Sequence, residues 1–270
     1  MGMVNRMGRW LHALGAAVQF LTVVPLPFRP VFDERTAARS LVFFPWAGAL
    51  IGAATAAAAI LLPHVLPPLP AAALVLILST AMTGALHLDG WMDTADGVLS
   101  RRPRARMLEI MKDSRVGAMG VAAAVLLLLL KWSLLAALLE QPIGAPGAVH
   151  LAAVFVWSRS AMALGVAAWP HARGSEGLAA LYARASGKHA LLALLAGALL
   201  VGAAYMLVGL PPLAALGYTL VGLALATAAA SALALWLKAR LGGLTGDTYG
   251  AMNEAAEAAL LLALVAVPAS

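Results

Sequence analysis

The segment "HLDGWMDTADG", from His87 to Gly97, carries three aspartates within a strongly apolar chain. If the preceding helix continues through this segment, Asp89, Asp93 and Asp96 stand at positions i, i+4 and i+7 and point within about 60° of one another. Like charges at this spacing repel. A divalent cation relieves the repulsion, because Mg²⁺ or Mn²⁺ binds hard carboxylate oxygens together with substrate phosphates. The spacing therefore predicts a metal-binding stripe, against the alternative of a solvated acidic loop that ends a helix.

A basic cluster, "SRRPRARMLEIMKDSR", follows directly. A metal-bridged diphosphate needs such a neighbour, because guanidinium and ammonium groups neutralise the phosphate oxygens that the metal leaves free. Contact with lipid head groups is the equal alternative for the arginines, Arg101 included. Lys112, Asp113 and Arg115 are stronger candidates for the site, since they lie together immediately before an apolar run.

A second polar segment, "LGGLTGDTYGAMNEAAE", opens the last apolar run. Backbone amides of Gly243 and Gly246 could cradle a phosphate, and Asp247 adds a carboxylate; an ordinary turn is the equal alternative. Glu254 is a candidate for substrate binding, or it merely begins the helix with favourable negative charge.

Two cations fall inside apolar runs. Arg159 lies about halfway along the run 148–169, so it is expected to face the protein interior and to pair with a carboxylate or an anionic substrate. Lys131 is either a counterpart of Arg159 or the sign of a misjudged helix boundary, and the boundary error is the favoured interpretation.

The segment around residue 170 carries further polar residues. Arg173 and Glu176 could contact a large anionic substrate or be solvated loop charges. His87 and His171 could act as bases or ligands, but they are interpreted as interfacial residues.

Composition places these residues in a membrane protein. Of 270 residues 63% are hydrophobic and 11% are charged, whereas globular domains are about half apolar and a quarter charged. Several runs approach the roughly 20 apolar residues that cross a bilayer. The N-terminal segment, with Arg6 and Arg9, is expected to be a retained interfacial helix rather than a signal peptide. The absence of cysteine excludes thiolate catalysis.

We therefore predict an all-α fold, a polytopic integral membrane helix bundle of about seven transmembrane helices plus the N-terminal interfacial helix, as a single domain over 1–270. The predicted spans are 38–62, 69–86, 116–139, 148–169, 188–208, 212–237 and 251–268.

Charge asymmetry sets the orientation. The segments on one side of the predicted spans, together with the span ends Arg39 and Lys188, hold 16 of the 18 lysine and arginine residues. Positively charged loops are cytoplasmic, which predicts the N-terminus inside, the C-terminus outside and a working face toward the cytoplasm of a bacterial inner membrane. The acidic residues crowd the same face.

The motifs "LTVVPLP", "FFPWAGALIG", "HLDGWMDTADG", "LEIMKDSRVGAMG" and "LGGLTGDTYGA" together resemble the cobalamin synthase family, adenosylcobinamide-GDP ribazoletransferase. The resemblance implies the last assembly step of vitamin B12. In that step α-ribazole, or its 5′-phosphate, attacks adenosylcobinamide-GDP and GMP leaves. Membrane lipid is a further expected partner and nucleic acid is not; self-association and association with other corrinoid enzymes stay open.

A more distant likeness is to the CDP-alcohol phosphotransferases. Asp93, Asp96 and Gly97 fit the opening of their acidic signature, whereas the second half departs, because Asp113 falls one residue short of the third aspartate. The helical spacing and the resemblance together imply Mg²⁺, with Mn²⁺ as a substitute, held by Asp89, Asp93, Asp96 and Asp113. Asp113 and Asp247 are then the candidates for the general base.

Two rival functions remain. The first is a CDP-alcohol phosphotransferase of a lipid pathway. The second is a transporter, which is disfavoured because the polar residues crowd one face and no internal repeat is visible.

Overall fold

A computed structural model describes residues 2–174, 177 and 181–266, and the side chains of 2–6 are not described. Glu176 and the side chain of Arg6 thus lie outside the described residues. The helices are α1 (Gly2–Leu21), α2 (Glu34–Ser40), α3 (Phe44–Leu61), α4 (Pro68–Met82), α5 (Leu86–Leu99), α6 (Arg104–Ile110), α7 (Ala118–Leu138), α8 (Ala145–Ala168), α9 (Gly187–Leu207), α10 (Pro212–Leu241) and α11 (Gly246–Ala266). Short 3₁₀ turns lie at Leu41–Phe43 and Leu62–His64.

The prediction of an all-α membrane bundle is confirmed. Six helical segments are long and apolar enough to span a membrane: Glu34–His64 and the helices α7, α8, α9, α10 and α11. The helices α4 and α5 pass the same test only together, as a pair bent by 88°. Each of the seven predicted spans therefore has a helical counterpart, and α1 is the expected N-terminal helix.

The second predicted span does not continue past His87 as a single helix. Helix α4 ends at Met82, and the chain turns through Gly84 and Ala85, both with φ of 59°. Left-handed backbone is easily adopted by glycine and costs free energy for alanine, so these two residues mark a definite break between α4 and α5. The acidic stripe lies on α5 alone.

Helix α8 is the centre of the bundle. Of the residues in its most apolar 18-residue stretch, 78% are buried, and the helix packs against α3, α9, α10 and α11. Proline stands in the first turn of α3, α4, α8 and α10, where its missing N–H costs no hydrogen bond. Helix α11 lies against α5, α7, α8 and α10, so it connects the central helix to the acidic one.

Candidate active site

The crossing of α5 and α11 brings carboxylates from distant parts of the chain together. A Cβ added at Gly90 would lie 2.6 Å from the carbonyl oxygen of Asp247, and one added at Gly250 would lie 3.1 Å from the carbonyl oxygen of His87. The two backbones can approach this closely only because both positions lack side chains. The charges of Asp89, Asp247 and Asp96 all act on Asp93, opposed by that of Arg173. The site is thus an acidic group spanning two helices.

Asp247 begins α11 at a locally well-specified point. The hydroxyl of Thr248 accepts from the backbone N–H of Thr245 (2.8 Å), and the Thr245 hydroxyl accepts from that of Thr248 (3.3 Å). This reciprocal capping satisfies N–H groups that a helix start leaves unpaired. The Asp247 carboxylate accepts from Arg173 (3.1 Å) and from the Thr245 hydroxyl (3.2 Å). Both contacts hold it beside the acids of α5.

Asp96 is oriented by the start of α7. Its two carboxylate oxygens accept from the backbone N–H groups of Gly117 and Gly120, each at 2.7 Å. A helix N-terminus favours negative charge, so the side chain stabilises the α5–α7 contact. Each oxygen keeps further lone pairs for a ligand, and its role at a metal stays a prediction.

Asp113 lies outside the acidic group. It occupies the exposed turn between α6 and α7, where its carboxylate accepts from the Arg115 side chain at 2.9 and 2.7 Å and from the Arg115 backbone at 3.0 Å. These hydrogen bonds lower the pKa of Asp113 to about 2. The structure does not bring it among the charges that act on Asp93.

The donor set fits magnesium in kind. Among the described residues no three acidic or histidine side chains form a ready metal cluster. Mg²⁺ does not need one, because it is commonly held by one or two carboxylates, substrate phosphates and water. Asp89 is exposed and Asp93 and Asp247 are half-buried, so their oxygens are accessible to an ion that arrives with a substrate.

The basic segment follows the C-terminal end of α5 at the protein surface. Arg101, Lys112 and Arg115 are exposed, and Arg101 adopts a left-handed φ of 53°. Arg104 donates to the carbonyl of Ala172 (3.2 Å), while Arg106 pairs with Glu109 in an exposed contact. The cluster thus remains a cationic surface that adjoins the end of α5.

The glycine-rich segment packs closely against the chain around residue 170, and some of its backbone amides already have protein partners. The N–H of Leu244 donates to the Pro170 carbonyl (2.8 Å) and that of Gly242 to the Lys238 carbonyl (2.8 Å). A Cβ at Gly243 would lie 2.6 Å from the Pro170 carbonyl oxygen. Several amides of the segment therefore bind protein oxygens, and phosphate binding at Gly243 and Gly246 stays a prediction.

Arg159 faces the interior and pairs with a carboxylate, as expected. It is 1% exposed, its guanidinium donates to Glu257, and it contacts the Ser158 hydroxyl at 2.9 Å. The interpretation of Lys131 as a boundary error is wrong. Lys131 is buried within α7 and pairs with Glu254 and, at 2.6 Å, with Glu257.

These four side chains form a buried charge quartet of Lys131, Arg159, Glu254 and Glu257, with no net formal charge. The carboxylate of Glu254 is thus directed at Lys131, and its predicted contact with substrate remains untested.

The interpretation of His87 as interfacial is also wrong, because its ring is 2% exposed and lies 3.3 Å from the Arg159 guanidinium. His171 accepts or donates a hydrogen bond with the Tyr249 hydroxyl at 2.9 Å, which holds the segment after α8 against α11.

A pocket opens next to the acidic group, and the sequence analysis did not predict most of the residues that line it. The signal for His87 was its position beside the acidic stripe, whereas the aromatic residues gave none, because aromatics are expected at membrane interfaces anyway. The pocket is lined by Phe20, Phe44, Leu86, His87, Asp89, Gly90, Met162, Val166, Tyr182, Gly246, Asp247, Tyr249 and Gly250.

Comparisons with known proteins agree with the motifs. A family model described as cobalamin-5-phosphate synthase matches residues 13–265. The chain is 39% identical over 254 residues to the adenosylcobinamide-GDP ribazoletransferase of Desulfitobacterium hafniense (strain Y51), covering 93% of this chain and 96% of that protein. It is 41% identical over 260 residues to the protein of the same name from Pseudomonas aeruginosa (strain UCBPP-PA14), covering 94% and 98%. No solved structure matches the chain.

Proposed function

The chain belongs to the cobalamin-5-phosphate synthase family, and from this premise we propose that it joins adenosylcobinamide-GDP to α-ribazole or its 5′-phosphate. A hydroxyl on the ribose ring, which is free in both α-ribazole and its 5′-phosphate, forms a bond through its oxygen to the phosphorus on the cobinamide side of the diphosphate. The bond from that phosphorus to the bridging oxygen breaks, and GMP leaves with the oxygen. The hydroxyl proton passes to a carboxylate of the protein.

One observation supports this proposal: carboxylates from α5 and α11 converge beside a pocket, and an exposed cationic segment follows the C-terminal end of α5. Diphosphate cleavage depends mainly on charge neutralisation and positioning, and little on covalent chemistry from the protein. An acidic group and a basic surface side by side meet that need.

Asp89, Asp93 and Asp96 are the proposed ligands of Mg²⁺, with Asp113 as a further candidate that would have to move from its turn. When bound, the ion supplies neutralisation of the phosphate charge. Asp247 is the proposed general base, since it lines the pocket and Arg173 orients it. Asp113 suits that role less, because a carboxyl group with a pKa of about 2 is a weak base.

The proposed contacts to the leaving GMP come from the basic segment. Arg101, Lys112 and Arg115 are exposed where they can reach phosphate oxygens. Arg159 and Glu254 are buried in the charge quartet, so we assign them a positioning role, Arg159 through its contact with His87.

We further propose that the protein lies in the bacterial plasma membrane with this site on the cytoplasmic side. The basic segments favour that orientation.

The experiment is a GMP-release assay on the purified protein with adenosylcobinamide-GDP, α-ribazole and Mg²⁺. We expect GMP, its loss on adding a chelator, and its return with excess Mg²⁺. Asp93→Asn should lower kcat at least about a hundredfold, a loss typical for removal of a transition-state charge contact. Asp33→Asn is the matched control, because asparagine caps α2 as well as aspartate does.

Full activity in purified Asp93→Asn would refute the metal assignment. Release of CMP from a CDP-linked lipid and an alcohol, without GMP release in the main assay, would favour the lipid-pathway rival. Flux across a reconstituted bilayer without turnover would favour the transporter.

A further inference from the structure

The pocket beside the acidic group has two chemically distinct sides. One side is aromatic: Phe20 stacks on Phe44 with ring centroids 6.1 Å apart, and Tyr182 meets Phe44 edge-on at 6.3 Å. The other side carries the carboxylates of Asp89 and Asp247. A ligand that fits both sides has a flat apolar part and a polar part that reaches the acids.

His87 is the histidine that lines this pocket, and its ring is buried. Its Nδ1 lies 3.3 Å from Nη2 of Arg159, and because a guanidinium has only donors, Nδ1 must accept. The neutral ring therefore carries its proton on Nε2. That nitrogen is buried and has no hydrogen-bond partner among the residues that the structure describes. A buried N–H without a partner is rare in folded proteins, so this one needs an acceptor from outside the described residues, which a ligand can supply.

The base of α-ribazole matches these surfaces. It is a dimethylated benzimidazole, a flat bicyclic ring whose one nitrogen bonds the ribose and whose other nitrogen is a free acceptor. Guanine has more acceptors than the single N–H of His87 can satisfy, and ionised carboxylates do not donate, so burying it here is unfavourable. An acyl chain would leave the His87 N–H unpaired.

We propose that this pocket holds the aromatic base of the nucleoside acceptor, with the His87 Nε2–H donating to the free ring nitrogen of the base. The inference rests on the proposed function and adds the position and the recognition of the acceptor. With the base packed against the aromatic residues, the ribose is directed toward Asp89 and Asp247, where the attacking hydroxyl needs a base.

The first test changes the pocket. Val166 is a buried lining residue, so Val166→Phe should fill the space of the base. We expect the KM for α-ribazole to rise at least about tenfold, with the KM for adenosylcobinamide-GDP within about twofold of the original. Val121→Phe is the matched control, because Val121 is 48% exposed on α7. Equal KM values for α-ribazole in Val166→Phe and wild type would overturn the proposal.

The second test changes the ligand and leaves the protein intact, so it does not depend on how the variant folds. An analogue of α-ribazole in which CH replaces the free ring nitrogen cannot accept from His87. A site built to hydrogen-bond that nitrogen should bind the analogue at least about tenfold more weakly in calorimetric titration. Equal affinity for both nucleosides would overturn the assignment of His87.

The proposed function and the proposed binding site can be refuted independently of each other. Tight binding of α-ribazole that discriminates against the analogue, without GMP release, would refute the proposed function and leave this site standing. GMP release with KM values that respond to neither change would refute the site and leave the function standing. Absence of both binding and release would refute both.

Discussion

The aspartates of α5 differ in what surrounds them, although they share one stripe. Asp96 accepts from two backbone N–H groups at the start of α7, whereas Asp93 is acted on by Asp89 of the same helix and by Asp247 across the helix crossing. Helical spacing predicted the stripe, because i, i+4 and i+7 are local geometry. The contacts to α7 and α11 depend on residues far along the chain, which spacing does not report.

Asp113 yields a prediction about pH. Arg115 holds the pKa of Asp113 at about 2, below the ordinary value for aspartate. A group with a lowered pKa stays ionised until the pH falls to that value, so Asp113 does not titrate between about pH 5 and pH 8. Asp113→Asn should therefore leave the pH of half-maximal kcat/KM on the acidic limb unchanged, whatever its effect on the rate. A shift of that limb in the GMP-release assay would show that Asp113 is the titrating base.

At the scale of elements, the crossing of α5 and α11 decides whether the acidic group exists. It requires glycine at two facing positions, Gly90 and Gly250. Small residues allow close approach of membrane helices, since no hydrophobic force drives their association within lipid. Gly250 is part of the motif "LGGLTGDTYGA" and its packing role had no sequence signal of its own.

Gly90→Ala should separate the two helices, because its Cβ would lie 2.6 Å from the Asp247 carbonyl oxygen. We expect at least a tenfold loss of kcat and a destabilisation of about 1–3 kcal/mol, typical of overpacking. Gly217→Ala in α10 is the control, since nothing lies within 4 Å of its added Cβ. Activity of both variants at the wild-type level would contradict the crossing.

The buried charge quartet joins α7, α8 and α11. Charges within a bilayer are expensive, and here two cations are matched by two carboxylates. Arg159 was predicted to face inward for this reason. Lys131 pairs with carboxylates for the same reason, and its position in the middle of an apolar run was the sequence signal that could have predicted a buried ion pair.

Lys131→Met should leave Glu254 and Glu257 opposed by Arg159 alone. Breaking a buried ion pair in this way costs about 3–5 kcal/mol, so the thermal unfolding midpoint in detergent should fall clearly. The double variant Lys131→Met with Glu254→Gln restores neutrality and should recover part of the loss. Lys188→Met, at an exposed position, is the control. An unchanged midpoint in Lys131→Met would contradict the quartet as a source of stability.

At the scale of the whole molecule, the pocket is built from helix ends. It lies where α1 and α8 finish and where α3, α5 and α11 begin, which is the face that the basic segments predict to be cytoplasmic. The turns at the opposite ends, near residues 65, 141 and 209, contain no lysine or arginine. The pocket and the basic segments thus lie at the same ends of the helices.

The orientation can be measured directly, because the chain contains no cysteine and single cysteines can be labelled without background. We expect Glu140→Cys to react with a membrane-impermeant maleimide on intact cells. Arg102→Cys should react only after permeabilisation. Both positions are exposed, so access depends on the side of the membrane alone. The reverse pattern would invert the topology.

Much of this protein is determined by the sequence by itself. Apolar run length predicted the helices, charge asymmetry predicted the orientation, and ordered motifs identified the family, because each of these signals is local or additive along the chain. Only the tertiary structure decided the break at Gly84 and Ala85, the pairing of Lys131, and the pocket that joins His87 to aromatic residues. These features arise where helices distant in sequence meet, and hydropathy and helical periodicity carry no information on which faces pair.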